Sequence, residues 1–352
     1  MAGSTLTGSR NGSVPYAVTM NIQRSWMKNL LTMREFISTK IETPRSYLGD
    51  NLLIPEGMMV LYGDTGVYKS WFLTNMAFAL ASGQPFLGYS VLKPIRVLYL
   101  NCEISEGAFQ DRIELMRVRY PDAMLDDCFY HDFRDVSLPT TRDYTKVDSW
   151  RLLAELIEES QATYVILDPM ANVFTGNENN GDHVTAFTKG LSTIAKQLHC
   201  GIILAHHQRK GFRDRDGSTV SAGSDELRGH TSLKGWADTI GHLKKVVTAN
   251  GERIELVWDK TRHLETPPPE TLIFNKKYGI LEKSADNPMT VVQEVLANGP
   301  MRRSDVVEAM KDRVGWAERR TVDYMKVLIS SGKVERFKDK TNKKFVMYRW
   351  VA

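Results

Sequence analysis

The stretch Gly63-Asp64-Thr65-Gly66-Val67-Tyr68-Lys69-Ser70 decides the fold. It has the spacing of a phosphate-binding loop with one departure: the glycine that usually precedes the lysine is Tyr68. Gly66 permits positive φ, backbone N–H groups curl around phosphate oxygens, and a helix N-terminus adds a favourable field. On this reading Lys69 neutralises the β- and γ-phosphates of ATP and the Ser70 hydroxyl binds Mg²⁺. Tyr68 is compatible with such a loop if its φ is negative. The competing reading is an ordinary strand-turn-helix carrying a chance Lys-Ser pair.

The flanks favour the phosphate loop. Residues 57–62 form an apolar run of buried-strand length, and residues 70–82 recur at helical spacing up to Gly83. Downstream, strands are expected at 96–101, 164–167 and 202–205, and helices at 107–119, 148–159 and 183–198. Such alternation predicts an α/β fold with a doubly wound, mostly parallel sheet. Residues 252–258 and 271–274 alternate like antiparallel strands, joined through Pro267-Pro268-Pro269. Residues 209–225 carry no apolar period and read as a loop.

Asp168 ends the strand Tyr164-Val-Ile-Leu-Asp168, where a carboxylate would lie beside the phosphate loop and hold Mg²⁺. The bland alternative is a turn residue or helix cap. Glu103 follows the strand at 96–101, and a carboxylate there would orient or deprotonate an attacking water. Glu106 is the second candidate for that role, and its plain reading is a solvated first-turn helix residue. His206 and His207 end another strand and point to opposite faces, so they make a poor metal pair. His206 or Gln208 is the candidate γ-phosphate sensor, against a plain polar strand end.

Composition sets the outer limits. The chain has 352 residues, 42% apolar and 25% charged, which suits a large α/β domain plus a small one. No apolar run reaches the ~18 residues needed to span a bilayer. Cys102, Cys128 and Cys200 are too widely spaced for a metal site or disulfide framework, which points to a reducing, cytoplasmic setting. Residues 1–34 hold no Asp or Glu but include Arg10, Arg24, Lys28 and Arg34. That composition is shared by transit peptides; a flexible arm with a short helix near 22–36 is the preferred reading.

Charge is unevenly spread. Residues 301–352 contain 14 Lys and Arg against 7 Asp and Glu, an excess of +7, while the whole chain is only +4. The rest is therefore at −3. The basic tail is expected to form a winged helix-turn-helix: helices at 290–297, 304–311 and 317–330, then strands at 334–337 and 345–350. The third helix would present Arg319, Arg320 and Lys326 to duplex DNA; the wing would present Lys338, Lys340, Lys343 and Lys344. A protein-interaction cap is the alternative. The expected organisation is an arm at 1–45, an ATPase domain at 46–284 and the winged domain at 285–352.

Taken in order, these motifs resemble the RecA-fold hexameric ATPases, especially plasmid- and phage-encoded RepA-like replicative helicases and, more distantly, the DnaB helicases. The matching stretches are 63–70, 98–103, 165–168, 204–207 and 226–238, and the similarity covers about residues 50–283. The resemblance implies a RecA-like P-loop domain and a ring, usually a homo-hexamer. ATP would sit between neighbours and single-stranded DNA in the channel. It also implies that Lys260 and Arg262 reach a neighbour's γ-phosphate. Arg228 resembles a position that is that finger in some relatives and a channel-loop residue in others. A solvated basic strand end remains the plain reading of Lys260 and Arg262. Expected function is thus a DNA helicase or helicase-like motor; the alternative is an ATP-switched DNA-binding regulator or loader. A small-molecule kinase would leave the winged helix unexplained.

Overall fold

A computed structural model describes residues 31–39, 46–141, 147–207, 231–249, 251–339 and 342–351. The chain divides into two units, Met1–Pro44 and Arg45–Ala352. In the first, helix α1 (Met33–Ser38) opens on a capping box in which Thr32 and Glu35 satisfy each other's backbone N–H groups. Met33, Phe36 and Ile37 of this helix are exposed. Of the helix expected at 22–36, only the end falls within the described residues.

The second unit is built on a nine-stranded sheet of order β3-β2-β4-β5-β1-β6-β7-β8-β9. Strands β1 (Met58–Gly63), β2 (Val97–Asn101), β3 (Cys128–Asp132), β4 (Tyr164–Asp168) and β5 (Gly201–His207) run parallel with the start of β6 (Thr239–Thr248). From β6 the sheet continues antiparallel through β7 (Gly251–Thr261), β8 (Glu270–Asn275) and β9 (Ile280–Lys283).

The parallel strands are near-continuous apolar runs because both faces are covered. Period-two alternation sorts their side chains. On one face Met59, Leu61, Tyr99, Ile166 and Ile203 meet Phe72, Leu73, Met76 and Leu80 of helix α2 (Lys69–Ser82). On the other, Val60, Leu98, Val165, Leu167 and Ile202 meet Trp150 and Leu153 of α4 (Asp148–Ser160), with Phe187 and Leu191 of α6 (Gly181–Leu198). Each such buried side chain contributes about 1.5–3 kcal/mol. Between these helices along the chain come α3 (Glu106–Arg117) and the short α5 (Met170–Val173); α7 (Thr231–Trp236) precedes β6. The α/β, doubly wound, mostly parallel architecture read from the sequence is therefore the one observed. The three cysteines are free, and no helix among the described residues is long and apolar enough to cross a membrane.

The C-terminal elements follow in the expected order. They are α8 (Pro288–Ala297), β10 (Met301–Arg302), α9 (Arg303–Val314), α10 (Glu318–Ser330), β11 (Val334–Lys338) and β12 (Val346–Trp350). The last three strands pair as β10-β12-β11. They enclose a core of their own, including Val292, Val306, Met310, Trp316, Met325 and Tyr348. This part sits on the β6–β7 hairpin: Ala249 N–H donates to Asp312 O at 2.8 Å, and Gly315, at φ 79°, lies against Val247 O.

Candidate functional site

The loop after β1 is shaped by two glycines and an exception. A Cβ on Gly63 would meet Leu243 O at 2.3 Å, so only glycine lets β1 turn against β6 there. Gly66 has φ 75°. Asp64, Thr65 and Gly66 form the exposed tip, and Val67, 1% exposed, anchors the loop in the core. Tyr68 is left-handed, at φ 66° and ψ 24°, contrary to the negative φ expected for it. The left-handed backbone that normally selects glycine is kept with a side chain in place. The compensation is visible: the Tyr68 ring stacks on Phe274 at 4.3 Å, with the Lys245 ammonium 5.9 Å from its centroid.

Lys69, 6% exposed, turns back into the loop, where Nζ donates to Gly63 O and Asp64 O at 2.8 Å each. Burial lowers its pKa; the negative charges of Asp168, Glu103 and Asp64 oppose that shift. Ser70 is half-buried at the start of α2. Asp168, at the end of β4, is 4% exposed. Its Oδ2 accepts from the Tyr99 hydroxyl at 2.5 Å, and that hydroxyl lies 3.5 Å from Ser70 O. Tyr99 thus ties the start of α2 to the carboxylate.

Glu103 stands exposed on the turn after β2. Asn101 builds that turn: its Oδ1 accepts from Ile104 N–H at 3.2 Å and its amide donates to Ile104 O at 2.7 Å. Glu106 begins α3 as an exposed first-turn residue. His206 is 1% exposed; its neighbour on β5 lies within the fields of Lys69, Glu103 and Asp168. His207 is that neighbour. Burial lowers its pKa, Lys69 lowers it further, and Glu103 and Asp168 act the other way.

Two residues of this site, Tyr99 and Arg112, were not read from the sequence. Arg112 of α3 stacks on Trp71 at 4.3 Å and lies within the fields of Asp168 and Glu103. The only sequence signal of Arg112 is a helix arginine nine positions after Glu103, which is indistinguishable from a solvated one.

Several polar atoms here are buried without a hydrogen-bond partner among the described residues: Asp168 Oδ1, Arg112 Nε and Nη1, and His207 Nδ1. Unmatched buried polar atoms are costly, at about 1–3 kcal/mol each, and call for an explanation. Here the set is complementary to a ligand of mixed charge. The carboxylate oxygen suits a divalent cation, and the arginine, with Lys69, suits anionic oxygens.

The remaining candidates fall elsewhere. Lys260 Nζ donates to Lys234 O at 2.6 Å and Ala237 O at 2.5 Å, and Arg262 pairs with Asp238 at 3.2 Å. Lys260 pairs in register with Ile240, itself level with Val60, three residues back from Gly63 along β1. That offset is about 10 Å, on the far side from the loop. Arg228 and Lys340 lie outside the described residues. Arg319, Lys338, Lys343 and Lys344 are exposed, and Lys326 pairs with Asp323 at 2.7 Å. Arg320 departs from the expected groove-facing role: Nη1 donates to Glu255 Oε2 at 2.6 Å, and the guanidinium stacks on Trp316 at 4.4 Å. Glu255 is fully buried on β7 and also accepts from Trp316 Nε1. A cleft of about 290 Å³, lined by Gln84, Arg119 and Lys283, lies past the C-terminal end of α2, away from Lys69.

A family model described as an AAA domain matches residues 26–212, just over half of the chain. The chain belongs to the AAA domain family. The matched span of this AAA domain contains the phosphate loop, Glu103, Arg112, Asp168 and His207; Lys260, Arg262 and the C-terminal helices lie beyond it. Similar solved structures include a KaiC-like protein from the hyperthermophilic archaeon Pyrococcus horikoshii, at 11% identity and TM-score 0.46, over 69% of this chain and 99% of that one. Another is an ATPase domain at 14% identity and TM-score 0.47, over 78% of this chain and 100% of that one. Among curated proteins nothing matches the chain.

Proposed function

We propose that this AAA-domain chain is an ATP-hydrolysing, ring-forming motor on DNA, a helicase or helicase-like enzyme of the plasmid and phage replication type. The observation that carries the reading is the complementary set of unmatched atoms around Lys69. In this reading Lys69 leaves the carbonyls of Gly63 and Asp64 for the β- and γ-phosphates, and the loop N–H groups hold the β-phosphate. Arg112 meets γ-phosphate oxygens. Asp168 Oδ1 and the Ser70 hydroxyl would hold Mg²⁺, which neutralises phosphate charge when bound. Tyr99 fixes the carboxylate for that task. Glu103 accepts a proton from the water that attacks the γ-phosphorus in line, and ADP leaves with its charge held by Lys69. In this reading His207, whose pKa burial lowers, exchanges a hydrogen bond with the γ-phosphate and passes its loss to the segment that follows.

The ring rests on Lys260 and Arg262. Along the strand direction Lys260 lies about 10 Å behind the loop of its own chain and Arg262 farther back, so phosphate contact by either would be with a neighbouring subunit. Arg228 remains the other candidate for that role. The C-terminal elements are read as a winged helix-turn-helix whose +7 excess draws duplex DNA, with single-stranded DNA in the ring channel.

Docking of Arg320 on Glu255 favours a second reading, an ATP-switched regulator or loader that does not unwind. Displacement of a labelled strand from a forked duplex, with ATP and with a non-hydrolysable analogue, separates the two. Displacement that needs hydrolysis supports the motor; ATP-dependent binding without displacement supports the switch.

A further inference from the structure

We propose that the duplex-binding surface of the C-terminal module is the groove between helix α9 and strand β12, and that it grips the phosphodiester backbone rather than base edges. The proposal rests on the reading that this module binds DNA, and it names the face.

The third helix of the module is poorly placed for the task. Its first turn carries Arg319 and Arg320, but Arg320 is committed to the buried carboxylate of Glu255 on the body. Releasing it would strand a fully buried charge, which is strongly unfavourable. Farther along the helix, Lys326 is paired with Asp323.

The groove offers what that turn lacks. It is an open channel of about 570 Å³ lined by Arg302, Arg303, Lys311, Lys344 and Phe345. Arg303 is paired with Glu318 at 2.6 Å, but Arg302, Lys311 and Lys344 make no ion pair among the described residues and are exposed. Arg302 is held in place by stacking on Phe345 at 4.2 Å, so part of the cost of ordering its long side chain is met before a ligand arrives. Glu308, also on the rim, leaves the groove with a positive balance. Three cations that make no ion pair among the described residues line one concave strip, matching the sign of a phosphodiester backbone. Contacts of this kind position a duplex without reading its sequence.

The test uses full-length protein and two unrelated 20-base-pair duplexes, with binding followed by fluorescence anisotropy across a salt series. The groove variant is Arg302→Ala/Lys311→Ala/Lys344→Ala. The helix variant is Arg319→Ala/Lys326→Ala, and Lys276→Ala/Lys277→Ala on the body is the charge control. Circular dichroism and ATP turnover verify that each variant is folded. The groove variant should bind both duplexes at least tenfold more weakly, with the salt slope reduced by about 2–3 as three phosphate contacts are lost. The other two variants should change by less than about threefold. Wild-type affinity in the groove variant, or an equal loss in all three variants, would overturn the groove as the site while leaving DNA binding in place. If the wild-type protein bound neither duplex at any salt concentration, the DNA-binding reading itself would fall, and the groove with it.

Discussion

The Tyr99 hydroxyl donates to Asp168 Oδ2 at 2.5 Å, from the strand next to the one that carries the carboxylate. With one oxygen held in this way, the other, Oδ1, is left buried and unmatched, aimed at the need for a cation. Tyr99→Phe removes the hold and keeps the ring packed on Phe109. A hydrogen bond to a charged group is worth about 1.5–3 kcal/mol, so Mg²⁺-dependent nucleotide turnover should fall about tenfold. The Mg²⁺ concentration at half-maximal activity should rise. A magnesium titration identical to wild type would remove Tyr99 from the site.

Tyr68 should separate strain from packing. The left-handed backbone costs a non-glycine residue about 1–2 kcal/mol, and the stack on Phe274 returns about 0.5–1.5 kcal/mol. Tyr68→Gly loses both, so thermal stability should stay near wild type. Tyr68→Ala keeps the strain and loses the stack, and should be the less stable variant by about 1 kcal/mol. Unfolding curves for the three proteins give the order directly. Equal stability of the Ala and Gly variants would contradict the positive φ.

His242 gives a pH dependence. It is 1% exposed and stacked on Tyr62 at 3.9 Å. Burial, followed by the charges of Lys244, Arg320 and Lys69, pushes its pKa from 6.5 down to about 2, although Asp259 lies 3.7 Å away. The unfolded chain therefore binds a proton that the folded one refuses below pH 6.5, so stability falls on acidification. Between pH 7.5 and pH 5 the loss should be about 2 kcal/mol at most. His242→Phe keeps a ring and removes the proton site, and should flatten this part of the stability curve. An unchanged slope would assign the acid sensitivity to other groups.

Much of this was legible in the sequence because the decisive elements are local. The strand before Gly63, the helix after Lys69, the carboxylate just after β2 and the one ending β4 each announce themselves within a few residues. What escaped depends on distant partners. Strand β6 went unread because Thr239-Ile-Gly-His-Leu is buried on both faces and the following Lys-Lys-Val-Val-Thr alternates, so no single period covers it. Edge strand β3 is only half-buried and carries a weak pattern. Glu255 looks like a solvated strand residue; its burial is created by Trp316 and Arg320, more than 60 positions later. The expected sign of φ at Tyr68 rested on steric cost alone, without the Phe274 ring that offsets it. That His207 lies in the field of Lys69 could not be read, because strand alternation says the two faces differ but does not say which one meets the loop.

Lys260 and Arg262 test the ring. With both held behind their own loop, Arg262→Ala should bind ATP like wild type yet hydrolyse it at least tenfold more slowly. Mixing it with Lys69→Ala subunits should restore part of the activity, since an intact loop can then face an intact arginine. No recovery, in mixtures shown by mass to co-assemble, would argue against a residue acting between subunits.

The central claim is that the loop at Gly63 to Ser70 binds and turns over ATP with Glu103 activating the water. The most direct measurement follows ATP binding and phosphate release in parallel for the wild type, Lys69→Ala and Glu103→Gln. The account predicts binding and turnover in the wild type and neither in Lys69→Ala. Glu103→Gln should bind ATP while turnover drops by about 10²-fold or more. A folded Lys69→Ala protein that still hydrolysed ATP at the wild-type rate would contradict it.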